Sequence, residues 1–365
     1  MKVLIAGGGS AGHINPAISI AKEIKKHHPQ YEILFIGSKK GLEKDLVPRE
    51  GFSIEFIEIE GFKRPFGFKS IKTIFIMIKG FLHANKIVKN FKPDIAIGTG
   101  GFVSGPALYA SFLHKSKILI HEQNAYPGIT NRILAKCADI AMVSYESTLK
   151  FFTKSKKTVL TGNLIDDSFS LSIKYEPHEG IKTVVIIGGS QGAMTINNAV
   201  IGMINNHIKE KDFKLIFAPG KRHYEETMSR INKQLPNVII NDYIYDRDTV
   251  YRSADLMVAR GGATTISEIL AMGMPSIIIP SPFVPDNAQE RNAEQIYKKD
   301  ACEIIYDNQD FNADVLYEKI MNMLNDNNKL LELSSNAYAI GIRDANERVF
   351  SEIAEVLNET DGIGK

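Results

Sequence analysis

The chain has 365 residues, more than one hydrophobic core usually supports, so two domains are expected. With 44% hydrophobic and 24% charged residues it has the composition of an ordinary globular protein, and a net charge of +2 excludes any global attraction to nucleic acid. Its two cysteines, Cys137 and Cys302, lie far apart without ligand spacing, which excludes a disulfide scaffold and a thiolate metal site.

In chain order, residues 1–6 form an apolar run that enters glycines directly. The run is too short for a signal-peptide core and reads as a buried strand, which makes the cytoplasm the expected compartment. Short β-branched runs then alternate with longer helical ones at 3–6, 16–26, 33–37, 94–98 and 117–121. Such alternation predicts a parallel sheet with helices on both faces, whose doubly buried strands read as continuous apolar runs. Between 61 and 92 the chain carries Lys63, Arg64, Lys69, Lys72, Lys79, Lys86, Lys89 and Lys92 and no acidic residue. On a helix, Lys72, Lys79 and Lys86 share one face while Ile74, Phe75, Ile78, Phe81 and Leu82 gather on another, preceded by Phe62, Phe66 and Phe68. The pattern suits docking of the segment from Gly61 to Lys92 on an anionic membrane surface; it also fits a core helix with a solvated lysine face. Its lysines come too often for a spanning helix.

The strand and helix alternation restarts at Lys182, with apolar runs at 183–187, 215–218, 238–240, 256–259 and 276–279. Two doubly wound α/β domains are expected, residues 1–165 and 166–344, with polar residues 166–180 as the linker and ligands in the cleft between them. A final helical pattern at 346–358, within about 345–365, fits either domain, including a return to the first.

Gly8-Gly9-Ser10-Ala11-Gly12 recurs 180 residues later as Gly188-Gly189-Ser190-Gln191-Gly192, each time between a strand and a helix. Backbone N–H groups at such a junction receive phosphate. A third candidate loop spans 98–106. Each loop taken singly is also explained as a tight turn. Gly7, Gly9 and Gly12 match a dinucleotide fingerprint, but Ser38 and Lys39 stand where a ribose-binding acid is expected, so no nicotinamide cofactor is expected. His13 has Ala193 as its counterpart, so the turn needs no imidazole. A histidine there suits a general base near pH 7, and a helix-start hydrogen bonder is the plainer reading. Asp246-Arg247-Asp248 resembles a metal-binding triplet but opens a helical stretch, where capping explains it better.

Residues 7–13, 98–106, His121-Glu122-Gln123-Asn124, Thr161-Gly162-Asn163, 188–193 and 260–295 together resemble, over nearly the whole chain, the bacterial MurG family, UDP-N-acetylglucosamine:undecaprenyl-diphospho-muramoyl-pentapeptide N-acetylglucosaminyltransferases. The resemblance implies the two-domain GT-B fold, inversion at the anomeric carbon, no metal or cofactor, and a peripheral place on the cytoplasmic membrane face. It implies UDP-N-acetylglucosamine as donor and lipid I, the undecaprenyl-diphospho-muramoyl-pentapeptide, as acceptor. Donor contacts carry over to Ser10, Ala11, Gly12, Asn124, Ser190 with Gln191, and Ile244 beside uracil. Ala263, Thr264 and Thr265 fall at the diphosphate, Glu268 at the ribose and Gln289 at the donor sugar. His13 is then the base acting on the acceptor C4 hydroxyl. Glu268 also reads as a first-turn acid that complements the helix dipole. Two departures stand out: Ala288 replaces the first of two paired glutamines, and Leu164 follows Asn163 where relatives place an arginine. His121 and Glu122 fit either a role in orienting the acceptor or Asn124, or a satisfied buried pair. A transferase acting on diacylglycerol, a UDP-N-acetylglucosamine 2-epimerase and a silent UDP-sugar-binding membrane adaptor are the alternatives; the adaptor has no use for His13.

Overall fold

A computed structural model describes residues 1–60, 68–170, 175–189 and 192–363. Met1–Ile165 with Asp344–Lys365 form one compact unit and Asp166–Arg343 a second. The first contains β1 (Lys2–Gly7), α1 (Ala11–His27), β2 (Glu32–Ser38), α2 (Glu43–Arg49), β3 (Ser53–Ile57), α3 (Phe68–Phe91), β4 (Ile95–Gly100), α4 (Ser104–Leu113), β5 (Lys117–Glu122), α5 (Ile129–Leu134), β6 (Ile140–Val143) and β7 (Lys157–Leu160). In the second are α6 (Asp167–Ser170), β8 (Thr183–Ile187), α7 (Met194–Asn206), β9 (Lys214–Ala218), α8 (Tyr224–Arg230), β10 (Val238–Ile240), α9 (Arg247–Arg252), β11 (Leu256–Ala259), α10 (Ala263–Met272), β12 (Ser276–Ile278), α11 (Ala288–Tyr297), β13 (Glu303–Ile304), α12 (Ala313–Leu324) and α13 (Asn327–Ile340). The last helix, α14 (Ala345–Ile363), returns to the first unit.

Both sheets are parallel and follow one strand order. The first runs β3-β2-β1-β4-β5-β6-β7 and the second β10-β9-β8-β11-β12-β13. Chain order reverses between β1 and β4, and again between β8 and β11; in open α/β sheets ligands bind outside the carboxyl ends of strands at such points. Strand composition follows from two-sided burial. Val3 and Ile5 enter a core under α1 and α14, while Leu4 and Ala6 enter the opposite core under α3, α4 and α5.

Two local features differ from the sequence pattern. Helix α1 begins at Ala11 and runs through Pro16 instead of starting there, because extended Ser10 receives the His13 and Ile14 N–H groups on its carbonyl, each at 3.1 Å. The stretch expected as a linker is laid onto the second unit: Phe169 is buried 5.7 Å from the Tyr251 ring, and buried Asp255 accepts from the Tyr175 hydroxyl and the His178 and Thr183 N–H groups. Helix α14, which the sequence allows on either domain, packs Val349, Ile353, Val356 and Leu357 into the core against α1, and Asn346 Nδ2 donates to the Ile165 carbonyl at 2.9 Å.

Candidate functional site

In the first unit, the loops after β1 and β4 are stapled together. Thr99 Oγ1 donates to the His13 carbonyl at 2.7 Å, and Ser104 Oγ bonds both the Ala6 and Gly100 carbonyls. Gly101 has φ +80°, and a Cβ there would lie 2.2 Å from the Gly8 carbonyl oxygen, so only glycine lets the loops close. Ser10 caps α1 through its backbone, and its exposed hydroxyl makes no cap bond. Ser10, Ala11, Gly12 and His13 therefore all sit in the first turn of α1 or just before it, where amides and dipole favour an anion.

Three residues behind these loops hold them in place. Glu43, fully buried on α2, accepts from the Gly9 N–H at 3.1 Å and from the Ser38 N–H and hydroxyl at 2.9 and 2.8 Å, so one of the loop amides is already used. Glu122, 1% exposed, takes the Asn124 N–H and Nδ2 on one oxygen and the Gly128 N–H and Asn131 Nδ2 on the other. It orients Asn124. Gln123 lies between His13 Nδ1, at 3.2 Å, and His121 Nδ1, at 2.9 Å. Only the reach from the end of β5 to the start of α1 reveals that contact, since 110 residues separate Gln123 from His13.

In the second unit, Ala263, Thr264 and Thr265 are the first three residues of α10, preceded by Gly262 in an extended conformation. Glu268 is the sixth helical residue. It therefore lies beyond the first turn, which removes the capping reading, and it is 1% exposed. Arg247 Nη1 meets Glu268 Oε1 at 2.5 Å, while Oε2 is buried with no partner. Burial pushes the Glu268 carboxyl up to about 7 against the opposing pull of Arg247. Ile244 is buried between Tyr243 and Tyr245, whose exposed rings meet edge to face at 5.2 Å. Gln289 accepts the Ser281 N–H at 2.9 Å through Oε1, and its backbone closes against Gly261. Ser190 and Gln191 lie outside the described residues.

Among the described residues, neither Arg260 nor Arg247 is free to replace the arginine absent after Asn163. Arg260, at the end of β11, is tied by Nη1 to Asp307 at 2.8 Å and by Nη2 to the Thr195 hydroxyl at 2.7 Å. Arg247 is held by Glu268. Asp246 caps α9 by accepting the Thr249 N–H at 3.2 Å, and Asp248 binds Arg252 at 2.8 Å, so both carboxylates of the triplet serve their own helix.

On α3 the apolar residues face outward. Ile74, Phe75, Ile78 and Leu82 are 47, 70, 52 and 60% exposed, whereas Ala84, Ile87 and Val88 supply the buried face. The core-helix reading of those four is overturned. Phe81 meets Tyr109 of α4 at 5.9 Å, continuing the apolar surface towards exposed Phe112. The basic face is less free than its sequence suggests, because neighbouring residues return the missing acids: Lys79 binds Glu58 at 2.8 Å and Lys86 lines a groove with Glu55. Residues 61–67 and the side chains of 68–72, including Lys63, Arg64, Phe62, Phe66, Phe68, Lys69 and Lys72, lie outside the description. Among the described residues, no helix is long and apolar enough to cross a membrane.

The Glycosyltransferase family 28 N-terminal domain matches residues 3–143 and the Glycosyltransferase family 28 C-terminal domain residues 183–349. A UDP-N-acetylglucosamine–N-acetylmuramyl-(pentapeptide) pyrophosphoryl-undecaprenol N-acetylglucosamine transferase of Acetivibrio thermocellus is 43% identical over 365 residues, with 98% of this chain and 98% of the relative covered. The crystal structure of Acinetobacter baumannii MurG superposes with a TM-score of 0.80 at 24% identity, over 97% of this chain and 99% of that one. A putative UDP-N-acetylglucosamine 2-epimerase from Listeria monocytogenes gives 0.68 at 13% identity, over 99% and 97%. These two structural likenesses establish the shared two-domain fold.

Proposed function

Because the chain belongs to the family of UDP-N-acetylglucosamine–N-acetylmuramyl-(pentapeptide) pyrophosphoryl-undecaprenol N-acetylglucosamine transferases, we propose that it is an inverting glycosyltransferase that moves N-acetylglucosamine from UDP to the C4 hydroxyl of the muramoyl sugar of lipid I, forming lipid II for peptidoglycan synthesis. The observation that carries this reading is 43% identity over 98% of both chains. Likeness of fold alone extends to an epimerase.

The donor is assigned to the second unit. Amides of Ala263, Thr264 and Thr265 at the start of α10 meet the diphosphate, together with Ser190 and Gln191, and the dipole of α10 favours that charge. Glu268 accepts the ribose hydroxyls through its unpartnered Oε2, an arrangement in which ligand binding supplies the hydrogen bonds that the buried oxygen lacks. Ile244 lies beside uracil and Gln289 by the donor sugar. Asn124, Ser10, Ala11 and Gly12 complete the donor contacts from the first unit, and the loops after β1 and β4 receive the acceptor diphosphate. His13 removes the proton of the C4 hydroxyl as that oxygen attacks the anomeric carbon, and loop amides stabilise the charge on departing UDP.

The acceptor carries a lipid, and the exposed Ile74, Phe75, Ile78 and Leu82 give α3 an apolar contact that charge alone would not supply. This supports a peripheral position on the cytoplasmic face of the membrane. A radiolabelled transfer assay with lipid I, with diacylglycerol and without acceptor tests the assignment: label must pass to lipid I only, and label on diacylglycerol, or donor epimerised without transfer, would sink it.

A further inference from the structure

One line of hydrogen bonds runs through the first unit. His13 Nδ1 is 3.2 Å from Gln123 Oε1; Gln123 Nε2 is 2.9 Å from His121 Nδ1 and 3.1 Å from the His121 carbonyl; His121 Nε2 is 3.0 Å from the Gly162 carbonyl. The far end of this line consists of backbone carbonyls, which only accept. Gly162 therefore requires a hydrogen on His121 Nε2, and a neutral ring with its hydrogen there has a bare Nδ1. That nitrogen and the His121 carbonyl both accept, so the edge of Gln123 facing them must be its NH2 group. Both amide hydrogens are used, and Oε1, an acceptor, is turned to His13. His13 must then carry its hydrogen on Nδ1, which leaves the Nε2 lone pair free.

The geometry points to Gln123 and His121 as positioning residues that lock His13 in the tautomer whose Nε2 can take a proton. The inference rests on the reading of His13 as the general base. His121 and Gln123 are 0 and 1% exposed, so water does not compete for their bonds. Burial pushes His121 down to about 4, which keeps its ring neutral and its Nδ1 an acceptor at the pH of the cell interior. Asn131 Nδ2 adds a second donor to the His121 carbonyl at 3.2 Å. Gly100 leaves the space that the His13 ring fills, since a Cβ there would lie 2.9 Å from Nδ1 and Cε1.

In the transfer step the C4 hydroxyl proton passes to His13 Nε2 while its oxygen bonds to the anomeric carbon. The bond from that carbon to UDP breaks, and the electron pair leaves on the β-phosphate oxygen. The imidazolium keeps its Nδ1–H on Gln123 and later releases the Nε2 proton to solvent. Histidine free in water favours the opposite tautomer, with its hydrogen on the nitrogen that here has to accept.

Nitrogen-15 NMR of the full-length chain labelled at its 9 histidines reads the tautomer directly, with His13 assigned by its loss in His13→Ala. Neutral wild-type His13 should be hydrogenated at Nδ1 and bare at Nε2. Gln123→Leu should shift it towards the Nε2–H form and lower kcat roughly 10²-fold with little change in KM for UDP-N-acetylglucosamine. Gln123→Glu, which keeps an acceptor for Nδ1–H, should retain the wild-type tautomer. An Nε2–H form in the wild-type chain overturns the relay even if neither variant folds, and so does an unchanged Nδ1–H form in Gln123→Leu. If the tautomer is as stated but His13→Ala turns over nearly normally, the base assignment fails while the lock stands.

Discussion

The two glycine loops share a sequence signature, a sheet position and positive φ at Gly9 and Gly189, +88° and +82°, yet they end differently. In the first, α1 starts at Ala11 and His13 is its third residue, backed by Gln123. In the second, Gly192 takes φ +73°, Ala193 becomes the N-cap of α7, and the next turn is backed by the Thr195, Asp307 and Arg260 network. A repeated turn signature thus sets where a strand gives way to a helix. What that helix start presents, an acceptor nitrogen or a fixed cation, is decided by side chains arriving from distant strands.

The largest test of this difference is His13→Ala, which should lower turnover by roughly 10²–10⁴ and leave calorimetric UDP affinity nearly intact, because the proposed base lies in the first unit and most of the proposed donor contacts in the second. Near-normal turnover would reject His13 as the base.

Second in size is the test of the proposed membrane contact. Converting Lys72, Lys79 and Lys86 to glutamate should weaken sedimentation with anionic vesicles by at least about 3 kcal/mol, at about 1 kcal/mol for each lysine lost, with repulsion of the new carboxylates added to that. Transfer to a water-soluble acceptor should be spared. With the apolar face of α3 exposed, the wild-type chain should still bind at 1 M salt, where the Debye length falls to about 3 Å. Wild-type sedimentation by the triple variant would put the contact elsewhere.

On the donor side, Glu268→Ala should cost roughly 1.5–3 kcal/mol of UDP binding by calorimetry. The same carboxyl makes stability pH-dependent. Raised in the folded state to about 7, it contributes stability fully present below its ordinary 4.5 and lost as pH climbs towards 7. Urea unfolding of Glu268→Gln should lack that decline between about pH 5 and 8, and an identical slope in both proteins would contradict the shift. The smallest effects are expected at Asp246 and Asp248. Chelator should leave transfer unchanged, since one carboxylate caps α9 and the other holds Arg252, whereas Asp246→Ala should lower stability by about 1 kcal/mol. Activity lost to EDTA and restored by magnesium would reopen the metal reading.

The order of strands and helices, the two doubly wound units and the positions of the glycine loops were legible in the sequence, because two-sided burial and tight turns leave local signals in apolar runs and glycines. The places of His13 and of the start of α10 were legible for the same reason, each lying within a few residues of such a turn. Local pattern misread three features: the start of α1, the linker and the surroundings of the α3 lysines. The linker and the lysines depended on partners elsewhere in the chain, Asp255 gathering Tyr175 and His178 and Glu58 reaching Lys79, whereas α1 starts early on the carbonyl of its own N-cap Ser10, a local bond that apolar periodicity does not show. Tertiary structure alone joined Arg247 to Glu268 and Gln123 to His13. A hydrogen bond spans about 3 Å whatever the separation along the chain, so a contact between residues 110 apart leaves no periodicity to read, and it fixes chemistry that the residue types themselves leave open.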